Sequence, residues 1–260
     1  METSASSTSS FKTAQTPLYQ KQIWAIGGGK GGVGKSLISS SIAFTLAKMG
    51  HSTIAIDLDL GGANLHTVLG QSPPQKCLSD FLNHKVSHLS QCVSETQFAN
   101  LKIIGGAKDD LNITQISDET KTELMSQVRQ LDAQFVILDL GAGTSHYTLD
   151  FFNAADVAIL SVLPEPTSIE NAYRFLKAVY YNRILKHEHF AGIRNYVEAA
   201  MTPNNDLGIQ SPSDLLNEVN FQNPELAHQL RQFVTGYKPK LILNQTRTQT
   251  DIDVGFSMKS

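Results

Sequence analysis

The sequence predicts an α/β fold: a mostly parallel, doubly wound sheet with helices on both faces. Two observations carry this. Short, continuously apolar segments alternate with segments of helical apolar spacing, which is the pattern of strands buried on both sides by helices. A stretch with six glycines and two lysines in eleven residues, "IGGGKGGVGKS" at 26–36, joins the first such strand to the first helix.

The elements follow in order. "QIWAIG" (22–27) is an apolar run ended by glycines, a buried strand. "SLISSSIAFTLAKMG" (36–50) has helical spacing, with Gly50 placed to cap its C-terminus. "STIAIDLDL" (52–60) is rich in β-branched residues and reads as a second strand, and "NLKIIGG" (100–106) as a third. "SDETKTELMSQVRQLD" (117–132) begins with Ser117 and carries Glu119 and Thr120 in its first turn, a helix start. "QFVILDL" (134–140) and "DVAILSVL" (156–163) are further strands. "SIENAYRFLKAVYYNRIL" (168–185) is a helix capped by Thr167 or Ser168, and "PKLILNQ" (239–245) is the last strand. Within 190–238, "SPSDLLNEV" and "PELAHQLRQF" read as helices capped by Ser211 or Ser213 and by Asn223-Pro224. No internal repeat is visible.

Composition bounds the function. The 260 residues are 41% hydrophobic and 17% charged, enough to bury a core. Lys+Arg 21 against Asp+Glu 24 leaves a net charge of -3, which argues against a general nucleic-acid binder. Cys77 and Cys92 form no CxxC pair and suggest no disulfide framework, so a reducing cytoplasm is expected. Both read as ordinary buried or half-buried thiols. Residues 1–20 are Ser/Thr-rich without an apolar stretch, which predicts a polar, disordered tail rather than a signal peptide. Residues 21–260 read as one domain. No stretch approaches the ~18 apolar residues of a membrane span. His84 and His88, with i,i+4 spacing, read as a solvated helix face, and His187 and His189 likewise. Tyr180 and Tyr181 read as packing residues.

Gly29-Lys30-Gly31-Gly32-Val33-Gly34-Lys35-Ser36 fits the GxxxxGK[ST] phosphate loop, with a strand before it and a helix after. The glycines let backbone N–H groups curl toward phosphate oxygens, and the helix N-terminus adds partial positive charge. Lys35 is placed for the β- and γ-phosphates and the Ser36 hydroxyl for Mg²⁺. "IDLDLGGANLH" (56–66) ends the second strand with Asp57 and Asp59, on one side of the strand end at the carboxyl edge of the sheet. On their own these aspartates fit helix caps or turns equally well. "FVILDLGAGTS" (135–145) ends an apolar strand in Asp139.

These motifs together resemble the MinD/ParA family of phosphate-loop ATPases. KGGxGK[ST] at 30–36 is similar to that family's deviant Walker A pattern, and "DLGAG" most resembles its MinD and FlhG branch. The resemblance covers about residues 22–250. It implies ATP and Mg²⁺ as cofactors and slow hydrolysis of ATP. It implies that Lys30 contacts the nucleotide of the opposite subunit, so that ATP drives formation of a homodimer. Asp59 would position the attacking water. Asp57 would support the Mg²⁺ shell, with Ser36, and Asp139 would accept from a Mg²⁺-bound water. Asn64 would belong to the switch loop. The turn Gly141-Ala142-Gly143 would bring backbone N–H groups to the γ-phosphate, and Asn244 would pair with the adenine edge, although a strand-end turn also explains an asparagine there. "LPEPTSIENAYRFLK" (163–177) resembles the family segment after the next strand.

The same resemblance frames the roles. The first is a dimerising switch, read by an unidentified activator or effector protein, that controls the position or number of a cellular structure such as flagella or the division site. The alternatives are an iron–sulfur carrier of the Mrp kind or a phosphate-loop metabolic ligase. The first alternative wants bridging cysteines and the second a dedicated substrate pocket. Three departures from the family stand out. The chain ends about sixteen residues after Asn244, which suggests a missing C-terminal strand and adenine loop. No C-terminal amphipathic helix is visible, so a peripheral place at the inner membrane stays open. The stretch 190–238 is longer and more helical than in MinD.

Overall fold

The computed structural model of the chain describes residues 20–106, 116–202 and 205–258. All but the last residue of the expected polar tail lies outside them. Seven strands form one sheet: β1 (Gln22–Gly27), β2 (Thr53–Leu58), β3 (Ser94–Glu95), β4 (Leu101–Ile104), β5 (Phe135–Leu140), β6 (Val157–Val162) and β7 (Lys240–Leu243). Their order across the sheet is β3-β4-β2-β5-β1-β6-β7. All neighbours run parallel except β3 and β4. The carboxyl ends of β1, β2, β5, β6 and β7 therefore share one edge, where open α/β sheets bind ligands.

The helices are α1 (Lys35–Lys48), the short α2 (Leu65–Val68) and α3 (Leu78–Leu82), α4 (Asp118–Gln130), α5 (His146–Ala154), α6 (Pro166–Lys186), α7 (Arg194–Met201), α8 (Pro212–Gln222), α9 (Pro224–Gly236) and α10 (Gln249–Ser257). Strand side chains alternate between two cores. Ile26, Ala55, Ile137 and Ile159 face one side with Ala43 and Ala47 of α1. Ala25, Ile54, Ile56 and Leu138 face the other, with Leu124 of α4, Phe151 and Phe152 of α5, and Phe175 of α6. Helices thus cover both faces, as the sequence predicts. A third core, with Tyr181, Ile184, Phe190, Val197, Val219 and Leu230, packs α7, α8 and α9 onto the distal half of α6.

The punctuation is local chemistry. Gly50 takes φ 93, a left-handed turn, so that His51 N–H reaches Leu46 O at 3.1 Å and ends α1. Ser117 accepts from Thr120 N–H at the start of α4, Ser211 from Asp214 N–H at α8, and Asn223 from Leu226 N–H ahead of Pro224 at α9.

Four details differ from expectation. The helix α6 begins two residues earlier than its spacing suggested, with Glu165 as N-cap and Pro166 in the first turn. Ser168 is instead buried and accepts from Leu163 N–H at 2.9 Å, closing the loop after β6. His84 and His88 share no helix face. α3 stops at Leu82, His84 takes φ 55, and His88 precedes a 3-10 turn over Leu89–Cys92. Strand β3 and helices α2, α3, α5, α7 and α10 were not anticipated. Cys77 and Cys92 are buried, as expected.

Candidate nucleotide site

The phosphate loop occupies 28–34, between β1 and α1. Two of its glycines need their lack of a side chain. A Cβ on Gly29 would overlap the backbone carbonyl of Asn171 in α6, so the loop lies directly on that helix. Gly34 takes φ 89, and a Cβ there would overlap the Asn244 amide. Gly34 is also the N-cap of α1 and offers no side-chain cap, which leaves the first N–H groups of the helix for an anion. Lys35 is 8% exposed, folded into its own loop. Val33 is buried, and its carbonyl accepts two side-chain hydrogen bonds: Ser161 Oγ of β6 at 2.8 Å and Asn244 Nδ2, just past β7, at 3.0 Å. Two neighbouring strand ends thus hold the loop.

The register sets Asp57 of β2 directly beside Asp139 of β5. Both are buried, at 0% and 1% exposure. Burial is the main cause that pushes Asp57 up to about 7, with Asp139 adding to it and backbone hydrogen bonds opposing it. Burial also raises Asp139, against hydroxyl hydrogen bonds from Ser36 and Ser39 and the attraction of Lys35. Ser39 Oγ donates to Asp139 Oδ1 at 3.0 Å. Neither carboxylate has a cation at ion-pair distance among the described residues. Two buried carboxylates with serine hydroxyls at a phosphate loop are an oxygen donor set that suits Mg²⁺, which takes one or two carboxylates and fills its shell with water and phosphate. Asp57, Asp139 and the Ser36 hydroxyl are the oxygen groups gathered there. Asp57 Oδ1 accepts from Asp59 N–H at 3.1 Å and Oδ2 from Leu65 N–H at 3.0 Å, so Asp57 ties down both ends of the loop after β2.

Asp59 is half-buried and accepts from Gly61 N–H at 3.1 Å. Asn64 is exposed and its amide donates back to Gly62 O at 2.6 Å. Gly143 takes φ 87, and its N–H donates to Gly28 O at 3.1 Å, which joins the turn after β5 to the phosphate loop. Asn244 Oδ1 accepts from Gln245 N–H at 2.9 Å, so both ends of that amide contact backbone. Gly31 and Gly32 are exposed at the loop tip. Lys30 also faces outward. Its ammonium lies 3.5 Å from Thr167 Oγ1 and 3.9 Å from Glu165 Oε2, with 43% of the side chain exposed.

The structure thus gathers Lys35, Ser36, Asp57, Asp59, Asp139, Gly143 and Asn244 at one edge and leaves Lys30 and Asn64 at its rim. Sequence reasoning missed Ser39 and Ser161. Ser39 could have been found, because it lies one turn beyond Ser36 on the same helix face. Nothing near Ser161 in sequence marks it.

The ParA family model, described as NUBPL iron-transfer P-loop NTPase, matches residues 19–195. The chain belongs to the ParA family. This ParA-family chain is 28% identical over 162 residues to the antiactivator FleN of Pseudomonas aeruginosa, covering 62% of this chain and 57% of FleN. It is 31% identical over 155 residues to the flagellum site-determining protein YlxH of Helicobacter pylori, covering 59% and 52%. The chain therefore spans about half the length of the curated relatives it matches. Among solved structures, the septum site-determining protein MinD of Pyrococcus horikoshii, complexed with Mg-ADP, superposes with a TM-score of 0.53 at 28% identity, over 58% of this chain and 62% of that one. No helix among the described residues is long and apolar enough to cross a membrane.

Proposed function

We propose that this chain is an ATP-hydrolysing switch that dimerises on ATP and sets the position or number of a cellular structure. The observation that carries the reading is the contrast between the two lysines of the loop. Lys35 is folded into its own phosphate loop, whereas Lys30 projects from it and is held only by long contacts to Thr167 and Glu165. Exposed ion pairs of that length contribute little, so Lys30 is free to leave them for a stronger anion. The γ-phosphate of a nucleotide in a second, facing subunit is such an anion. The relatives named for flagellum-site and septum-site determination support the cellular role, and the Mg-ADP bound by MinD supports the ligand.

Hydrolysis then rests on positioning and charge. The loop N–H groups and Lys35 hold the phosphates. Asp59, half-buried at the same edge, orients the attacking water. Ser36 and Asp139, with Asp57 beside them, would hold Mg²⁺, which when bound would neutralise phosphate charge. An activator or effector protein reads the dimer, in the cytoplasm or at the inner face of a membrane.

Iron transfer, named in the description of the matched family, is the second reading. Here Cys92 is buried and donates its S–H to Cys77 O at 3.2 Å, and among the described residues no group of three metal-binding side chains assembles. That favours the switch.

The test is Lys30→Ala. ATP turnover falls at least ~10-fold, the loss expected when one charged contact to a transferring phosphoryl group is removed, while the monomer's affinity for ADP stays within about two-fold. Turnover at the parent rate contradicts the cross-subunit role.

A further inference from the structure

One buried polar group beside the site has no assigned task. Tyr147 lies in the first turn of α5, which Ser145 fixes by accepting from Thr148 N–H at 3.2 Å. Its ring packs 4.7 Å from that of Phe151, one turn on, and against the main core. The direction of the side chain is therefore set by packing. Its hydroxyl is shielded from water and has no hydrogen-bond partner among the described residues. A phenol O–H that is buried and unbonded is penalised, so its presence beside the site calls for an explanation. The neighbouring charges are carboxylates, Asp57 and Asp59. Tyr147 lines a cavity of about 850 Å³ together with Asp59, Gly61, Gly141 and Ala142. Asp59, read above as the residue that orients water, thus shares a cavity wall with Tyr147.

We propose that Tyr147 is a positioning residue for hydrolysis: its O–H donates to the Asp59 carboxylate when the 59–64 loop closes on bound nucleotide. The inference rests on the reading of Asp59 given above. Asp59 already accepts from Gly61 N–H on one side. A second donor from α5 fixes the plane of the carboxylate and leaves a lone pair aimed at the water. In the step itself, the water oxygen bonds to the γ-phosphorus as the bond from that phosphorus to the bridging oxygen breaks. The electron pair leaves with ADP, and the water proton passes to Asp59 and on to the phosphate product. Tyr147 keeps its proton throughout. The proposed partner sits in the loop after β2, whose two ends Asp57 ties down.

Tyr147→Phe removes the hydroxyl and keeps the ring. Without nucleotide the variant should be as resistant to urea as the parent or more so, because the group removed was unsatisfied. With Mg²⁺ and the slowly hydrolysed ATPγS, the parent should gain more resistance than the variant. kcat for ATP should fall about ten-fold, the worth of one hydrogen bond to a charged group, with KM unchanged. Parent-like kcat together with parent-like stabilisation by ATPγS overturns the proposal while leaving Asp59 in place, provided Asp59→Asn is inactive. An active Asp59→Asn overturns the reading of Asp59 and this inference with it, as does a parent chain that does not hydrolyse ATP. A destabilised Tyr147→Phe without nucleotide shows that the hydroxyl has a structural partner and also overturns it.

Discussion

Asn244 separates two accounts of the same residue. The family resemblance gives it the adenine edge; the structure has it holding the phosphate loop through Val33 O. Asn244→Ala removes one neutral hydrogen bond, worth about 1 kcal/mol, or roughly five-fold in affinity. Loop anchoring acts on the phosphates, so the loss should be equal for adenine and guanine diphosphates. The Val33 carbonyl would still accept from Ser161 at 2.8 Å. Ser161→Ala alone should therefore cost about the same ~1 kcal/mol. The double variant leaves a buried carbonyl with neither side-chain donor, which adds a further ~1–3 kcal/mol, so its loss should exceed the sum of the two single losses. Fluorescence titration with N-methylanthraniloyl-labelled ADP and GDP measures all four proteins. A loss confined to ADP refutes loop anchoring in favour of adenine recognition, and a double variant no weaker than the singles refutes the shared carbonyl.

Two further outcomes follow from the geometry. Gly29→Ala should abolish nucleotide binding, because its Cβ would overlap the Asn171 carbonyl, whereas Gly31→Ala, with nothing near its Cβ, should bind within a few-fold in the same titration. Asp57 should make the metal-free protein less stable as pH rises. Its carboxyl is held near 7 when folded against 3.8 ordinarily, so between those values the folded state keeps a proton that the unfolded state has lost, and stability falls with pH. The full drop is roughly 4 kcal/mol and is complete a little above pH 7. Urea unfolding in EDTA at pH 5 to 8 should show this slope in the parent and a flatter one in Asp57→Asn. Equal slopes contradict the assignment.

The parts of the fold that were legible in sequence are those whose signal is local. Continuous apolar runs such as "FVILDL" can satisfy themselves only as buried strands, and Gly50, Ser211 and Asn223 mark helix ends by their own backbone chemistry. Strand β3, two residues long, carries no period to read. Helix α5 was hidden because "HYTLDFFNA" is rich in aromatic residues and polar side chains without a clean stripe, and its start is set by Ser145. In the site, the phosphate loop was legible because one contiguous segment makes it. The double anchor on Val33 was not, since its donors lie 128 and 211 residues away. Separation along the chain likewise hides that Tyr147 lines one cavity with Asp59. The buried pairing of Asp57 with Asp139 depends on β2 and β5 being neighbours, which element order alone does not give.

The central claim is that ATP joins two copies of this chain. The direct measurement is the solution mass of Asp59→Ala by light scattering, with Mg²⁺ and either ATP or ADP. A variant that binds ATP without hydrolysing it should accumulate as a dimer. The account predicts a doubled mass with ATP and a monomer with ADP. A monomer under both conditions, with ATP binding shown in the same sample, would contradict it.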